Sequence, residues 1–392
     1  MNLQAKVSSR TKKLLEVMKR GQSGRVALCL PDGRVEEFGD GALVCEGKVK
    51  DWTVFDSILT RGDIGFAEAY MDGSFEIDKP DELIVWACKN ESLLRPAIYG
   101  ALPSLLVDRI KHLIRKNTVT QAKKNIASHY DLGNDFYSLW LDKTLTYSSA
   151  LFKSESDSLE QAQIAKYERI LDQTGVKKGD HVLEIGCGWG GFLTHAVKTR
   201  GCRVTAVTIS QRQYEVCKKR VADEGIEDHV DLRLQDYREI EGQFDHVVSI
   251  EMIEAVGRAY WPQYFGKVRS CLKPGGRAVI QGITIREDLF RRYMSGTDFI
   301  QQYVFPGGEL LTESAVRSVG GLQGLSLVDL HAFPESYEKT LRLWRERFGE
   351  VKGEVTAMGF GDEFIRLWNF YLAYCEGAFR IGRTGVAHFT LK

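Results

Sequence analysis

From residue 181 to residue 280 the chain alternates short apolar runs with segments of helical character. The runs cover 181–185, 203–207, 230–234, 244–250 and 276–280, and their spacing of about 20 to 35 residues leaves room for one helix between successive strands. Apolar strands joined by helical crossovers predict βαβ units, and hence an α/β fold with a doubly wound, Rossmann-like parallel sheet. The first hundred residues follow a different rhythm. Two strand-like runs flank Pro31-Asp32-Gly33, which has hairpin chemistry. The segments 57–71 and 81–94 read as helices, with acids near their starts and Pro96 after the second. The pattern predicts a small α+β domain over 1–108, a linker over 109–125 and a larger α/β domain over 126–392.

Composition narrows the class. The chain has 392 residues, of which 43% are hydrophobic, 27% charged and only 8 are proline, so a disordered or collagen-like chain is excluded. Lys plus Arg and Asp plus Glu both number 53, and zero net charge gives no global reason to expect a nucleic-acid partner. The charge is uneven locally: residues 109–125 contain Arg109, Lys111, Arg115, Lys116, Lys123 and Lys124 and no acid. Eight cysteines with no C-x-x-C pair, and a start lacking a signal-peptide apolar region, point to reduced thiols and a cytoplasmic protein. The most apolar stretch, 96–107, is well short of the roughly 20 residues a membrane-spanning helix needs. No transmembrane segment is expected. No His/Cys/Asp cluster has metal-ligand spacing, so no metal is expected, and no G-x-S-x-G elbow supports a hydrolase.

The sharpest motif is Val182-Leu-Glu-Ile-Gly-Cys-Gly-Trp-Gly-Gly191, a buried strand entering a glycine turn and then a helical segment at 192–200. Gly186, Gly188 and Gly190 let the backbone approach a ligand, and the helix N-terminus behind them offers unpaired N–H groups. The competing reading is a tight strand-to-helix turn of the kind any α/β protein uses. A dinucleotide fingerprint requires G-x-G-x-x-G and an acid about 20 residues on. Here the spacing is G-x-G-x-G-G, and the second strand ends in Val207-Thr208-Ile209-Ser210 without that acid. Glu184 in the first strand and Gln235-Asp236-Tyr237 after the third favour S-adenosylmethionine and a class I methyltransferase.

Further motifs, taken in order, make the likeness specific. The chain contains His129-Tyr-Asp-Leu-Gly-Asn-Asp-Phe-Tyr137, Thr146-Tyr-Ser-Ser149, Glu254-Ala-Val-Gly257, Tyr303-Val-Phe-Pro-Gly-Gly308, Leu341-Arg-Leu-Trp-Arg-Glu-Arg-Phe348 and Cys375-Glu-Gly-Ala-Phe379. With the glycine turn, these resemble the cyclopropane-fatty-acyl-phospholipid synthase family over essentially the whole length. The resemblance implies transfer of a methyl carbon from S-adenosylmethionine to a cis double bond of an unsaturated phospholipid acyl chain, by a homodimer peripheral to the inner face of the membrane. The cofactor residues it implies are Tyr147, Ser148, Glu184, Gly186, Cys187, Gly188, Gly190, Thr208, Ile209, Ser210, Gln213, Gln235, Asp236 and Tyr237, with His129, Tyr130 and Asp131 covering the methionine end.

The reaction itself demands further groups. An alkene is a poor nucleophile, attack leaves a carbocation, and a base must then take a proton from the transferred methyl. Carboxylates, rings and hydroxyls are therefore expected. Glu251 and Glu254 follow the fourth strand, three apart, on what reads as one face of a helical turn, and two adjacent carboxylates raise one pKa. The resemblance assigns Glu254, Ser149, Gln281, the Ile283 backbone and Tyr337 to a site for bicarbonate, the proton acceptor. Many members have Cys and His where this chain has Ser149 and Gln281, and many have no acid matching Glu251. Cys375 matches a cysteine sometimes labelled catalytic, although a thiol in an aromatic, apolar helix is usually inert core. Arg291, Arg292 and the rings of 290–305 are expected to line an acyl tunnel and meet a lipid phosphate. Two rival enzyme readings remain open, a methylene- or methyl-branched product and C- or N-methylation of a small metabolite; a third rival is a lipid-binding module with a vestigial cofactor site.

Overall fold

The computed structural model describes residues 7–99 and 132–392. The basic segment 109–125 and His129-Tyr130-Asp131 lie outside these. The chain divides into two compact units: one joins the described part of the first hundred residues with 292–304 and 348–382, and the other comprises 132–291, 305–347 and 383–392. The contiguous boundaries expected from sequence are therefore not those of the units.

In the first unit, β1 (Gly24–Cys29), β2 (Val35–Asp40), β3 (Leu43–Val49) and β4 (Phe75–Ile77) form a sheet in the order β2-β1-β3-β4. β1 and β2 are the hairpin expected around Pro31-Asp32-Gly33, closed by Leu30 N–H to the Arg34 carbonyl at 2.7 Å. Val26, Phe38, Cys45, Phe75 and Trp86 fill the core. Each predicted helix here is two. Gly62, with φ 63°, ends Thr53–Arg61 and starts Asp63–Met71, a backbone turn that a residue with a side chain adopts only with strain. Asn90 separates Pro80–Lys89 from Glu91–Tyr99, where its amide accepts from Gln22 N–H (2.7 Å) and donates to the Gln22 carbonyl (2.8 Å). The helix Asp362–Arg380 joins this unit through its rings, Phe370 lying 5.3 Å from Phe66 and 4.9 Å from Phe299. Burial of that apolar face is why the segment leaves the α/β domain to which its sequence position assigned it.

The second unit holds seven strands in the order β10-β11-β9-β8-β5-β6-β7. Its five parallel strands are those expected: β5 (His181–Ile185), β6 (Arg203–Thr208), β7 (Val230–Leu234), β8 (Phe244–Ile250) and β9 (Leu272–Ile285). β10 (Leu327–Ala332) and β11 (Thr384–Leu391) complete it, β11 running antiparallel to both neighbours. The sheet is thus mixed rather than wholly parallel. β6 and β7 lie to one side of β5, while β8 and β9 lie to the other, so strand order reverses between β5 and β8. Open α/β sheets bind ligands beyond the carboxyl ends of the strands at such a point.

Candidate active site

The glycine turn leaves the end of β5 pinned to β6, since the N–H groups of Gly186 and Cys187 both donate to the Val207 carbonyl (3.0 and 3.1 Å). Gly186, Gly188 and Gly190 all have positive φ, at 83°, 52° and 83°. A Cβ at Gly190 would lie 2.7 Å from Cys217 Sγ, whereas one at Gly188 would meet no protein atom within 4 Å. Gly190 answers to packing and Gly188 to open space in front of the turn. Glu184, 2% exposed, has one carboxyl oxygen sealed from water with no hydrogen-bond partner. Burial drives its pKa well above the ordinary carboxylate range, against the pull of Lys166.

The next two turns are interlocked. Thr208 Oγ1 donates to Gln213 Oε1 (3.0 Å) and accepts from Ser210 N–H (3.1 Å), and Ser210 Oγ caps the helix Gln211–Asp223 by accepting from Gln213 N–H (3.4 Å). Ile209 is held between these. Gln235 N–H donates to the Thr208 carbonyl (3.0 Å), joining the third turn to the second. Asp236 is clamped by Arg238, whose Nε and Nη2 donate to its two oxygens at 2.8 and 2.6 Å, and burial pushes the Tyr237 phenol up to about 12.

One strand away, the end of β8 carries the acids. Glu251 stands at φ 48°, a left-handed conformation rare for a residue with a side chain, and Glu254 follows in the short turn Ile253–Ala255. The pair is therefore set by a strained residue and a tight turn, not by one helical face. Glu251 Oε1 accepts from Ser149 N–H (2.8 Å) and Gln281 Nε2 (2.7 Å), and its Oε2 accepts from Tyr337 O–H (2.7 Å). Glu254 Oε1 accepts from Ile283 N–H at 2.5 Å, while its Oε2 is sealed from solvent without a partner. Burial first, and the neighbouring Glu251 second, push Glu254 up to about 8. Burial also raises Glu251, opposed by Lys166 and by its three donors.

The structure thus gathers Ser149, Glu251, Glu254, Gln281, Ile283 and Tyr337 into one pocket. Two details differ from expectation. Ser149 meets the acid through its backbone N–H, its hydroxyl donating instead to the Ala150 carbonyl (2.9 Å). The donors expected to hold bicarbonate are engaged by the chain's own carboxylates. Cys375 lies in the first unit, on Asp362–Arg380, where burial raises its thiol pKa far above the ordinary value. Of the rings and cations of 290–305, Phe299 packs on Phe370 and Tyr374 and Arg292 lies over the Tyr99 ring at 3.2 Å in the first unit, while Phe290 stacks on Trp261 in the second.

Two site residues escaped the sequence reading. Lys166 is fully buried on the helix Leu159–Thr174, donating from Nζ to Ser148 Oγ at 2.7 Å. Burial pulls its pKa down to about 7, while Glu251, Asp142 and Glu184 hold it up. Its signal was present: Ala162, Lys166 and Ile170 follow at i, i+4 spacing on the buried stripe, where a lysine is out of place. His388 on β11 is also buried, with Nε2 at 2.8 Å from Gln281 Oε1. Burial holds it well below the usual imidazole pKa, so Nε2–H of the neutral ring donates to that oxygen and leaves Gln281 Nε2 facing Glu251. A line of rings runs from Tyr337 through Trp344 (6.3 Å) to Tyr147 (5.3 Å) and on to Phe305 (6.4 Å). Trp189 Nε1 donates to Asn134 Oδ1 at 2.8 Å, tying the glycine turn to the chain at 134.

A seven-stranded sheet with one antiparallel strand, a roomy glycine turn at its switch point and a sealed carboxylate pair beside it define a class I methyltransferase. Comparison with known proteins agrees on the class and narrows it. Residues 117–389 match the family described as mycolic acid cyclopropane synthetase. The tuberculostearic acid methyltransferase UfaA1 of Mycobacterium tuberculosis is 39% identical over 84% of this chain and 79% of its own. The cyclopropane-fatty-acyl-phospholipid synthase of Escherichia coli is 34% identical over 87% and 86%. A solved structure of the mycolic acid cyclopropane synthase CmaA1, complexed with SAH and CTAB, superposes with a TM-score of 0.65 at 29% identity, covering 69% of this chain and 97% of that one. The chain belongs to the cyclopropane synthase family of S-adenosylmethionine-dependent methyltransferases. Among the described residues no helix is long and apolar enough to cross a membrane, and no cluster of His, Cys, Asp and Glu is arranged to hold a metal.

Proposed function

We propose that the protein adds a methyl carbon from S-adenosylmethionine across the cis double bond of an unsaturated phospholipid acyl chain and removes a proton from that carbon to close a cyclopropane ring. The observation that carries this reading is the placement of a glycine turn with open space at Gly188 beside the carboxylate pair Glu251 and Glu254 on the neighbouring strand. The unpartnered Glu184 oxygen and the interlocked Thr208, Ser210 and Gln213 fit the donor's polar groups. S-adenosylmethionine, when bound, supplies a methyl on a positively charged sulfur.

The remaining work falls to the chain. Holding the alkene against that methyl can supply roughly 7 to 11 kcal/mol of the barrier. The rings of Tyr147, Trp344, Tyr337 and Phe305 keep water away and present faces that favour a cation. The acid pocket then receives a proton. Bicarbonate does not fit that pocket as it stands, because Ser149 N–H, Gln281 Nε2 and Tyr337 O–H already donate to Glu251, and Ile283 N–H to Glu254. No step is assigned to it.

A second product is favoured by one observation, the 39% identity to a tuberculostearic acid methyltransferase. From the same carbocation, a hydride shift from the methylated carbon to the cationic one, followed by loss of a proton from the methyl, gives a methylene-branched chain. Incubation with labelled S-adenosylmethionine and unsaturated phospholipid vesicles, followed by mass spectrometry, is expected to show acyl chains heavier by one CH2 unit. Proton NMR separates the products, since ring protons resonate far upfield and exocyclic methylene protons do not. Unlabelled lipid would overturn the reading. The basic residues of 109–125 support work at an anionic membrane surface, each contributing about 1 kcal/mol there; vesicle binding is expected to fall steeply with salt.

A further inference from the structure

The acid pocket has an occupant. We infer that Glu251 stands where the family resemblance places bicarbonate and is itself the base that takes the proton from the transferred methyl. The inference rests on the methyl-transfer reading above.

Three independent donors converge on one carboxylate: a backbone N–H (Ser149), a carboxamide (Gln281) and a phenol (Tyr337), all at 2.7 to 2.8 Å. This is the coordination expected for a small oxyanion, here covalently attached to β8. The carboxamide is not free to turn away, because His388 fixes its oxygen at 2.8 Å. Placing Glu251 there has a conformational cost. Its φ of 48° is one of only three positive values at non-glycine positions among the described residues, a conformation that persists only where the surroundings enforce it. Strain held by three hydrogen bonds to one side chain is the mark of a residue positioned for use.

The division of roles within the acid pair follows. Glu251 has three donors and the field of Lys166 to favour its charged form. Glu254 has a single donor, an unpartnered oxygen and a carboxylate neighbour, so it is the one that keeps its proton. The step balances without any external co-reactant. The alkene π pair forms the bond to the methyl carbon as the carbon–sulfur bond breaks toward sulfur, leaving a cation on the other alkene carbon. Glu251 then takes one proton from the methyl, and the released C–H pair closes the ring.

The test uses the full-length protein and lipid labelling as the readout, with bicarbonate and dissolved carbon dioxide removed or restored. The wild type is expected to turn over equally in both conditions. Glu251→Gln is expected to lose turnover by roughly 10^2- to 10^4-fold, the usual contribution of a positioned base, with S-adenosylmethionine affinity retained. Glu251→Gly suits the backbone at this φ and is expected to fold; its turnover should be low without bicarbonate and rise at least tenfold with it. A wild-type rate that falls when bicarbonate is removed and returns when it is restored would overturn the inference, as would Glu251→Gln at the wild-type rate. Failure of the broader reading is distinct, since it shows as unlabelled lipid in every condition.

Discussion

The turn after β5 and the turn after β8 sit side by side on one edge of the sheet and solve opposite problems. The first works by what it lacks: Gly186, Gly188 and Gly190 adopt positive φ without strain and leave space in front of Gly188. The second works by what it holds in place, a glutamate in a conformation that favours glycine, kept there by three donors. A turn that makes room for a ligand needs only backbone freedom. A turn that presents a charge away from water needs partners from elsewhere in the chain, and here they come from the segment before β5, from β9 and from the helix Pro334–Glu350.

That contrast can be broken in several places. The largest effect is expected at the second turn: Glu251→Gln should lower turnover roughly 10^2- to 10^4-fold while leaving cofactor affinity near wild type by calorimetry. A comparable loss of affinity would show that the two turns do not divide the work. Next, Gly188→Ala should weaken cofactor binding by about tenfold or more, equivalent to at least 1.4 kcal/mol, while costing the fold only about 1–2 kcal/mol for its left-handed backbone. Unchanged affinity would mean that the open space at Gly188 is not used. His388→Ala, a positioning change behind Gln281, should lower kcat several-fold, commensurate with one hydrogen bond of about 1 kcal/mol, with KM unaltered.

The smallest effect concerns stability against pH. Glu254 binds its proton more tightly folded than unfolded, its pKa rising from 4.5 to about 8. Its stabilising contribution is complete below the unfolded value and is lost as pH rises through the folded one. Glu254→Gln has no such loss. The melting temperature of the variant relative to wild type is therefore expected to climb across that window, and a constant difference would place the Glu254 carboxyl in a wetter setting.

The same contrast explains what could be read from the chain. The parallel strands β5, β6, β8 and β9 were legible because strands buried on both faces are nearly continuous apolar runs, the edge strand β7 because Val230-Asp-Leu-Arg-Leu alternates apolar and charged residues, and the glycine turn because its function is written in residue spacing. β11 was not singled out, since His388 and Thr390 interrupt its apolar pattern although they are enclosed in the fold. Glu254 was legible through family likeness. The environment of Glu251 was not: its donors lie 102, 30 and 86 residues away in sequence, and nothing in Val248-Ser-Ile-Glu-Met announces a positive φ. The breaks at Gly62 and Asn90, and the departure of 348–382 to the first unit, likewise depend on packing partners that local periodicity does not reveal.

The central claim is that one turn holds the donor while its neighbour takes a proton from the carbon just transferred. The most direct test is to supply S-adenosylmethionine whose methyl carries three deuterons and to weigh the lipid product. Both the cyclopropane and the methylene-branched outcomes require that one deuteron be removed from the methyl, so the acyl chain should gain a CD2 unit. Retention of all three deuterons on the product would mean that the acid pocket takes its proton elsewhere, and the account would be wrong.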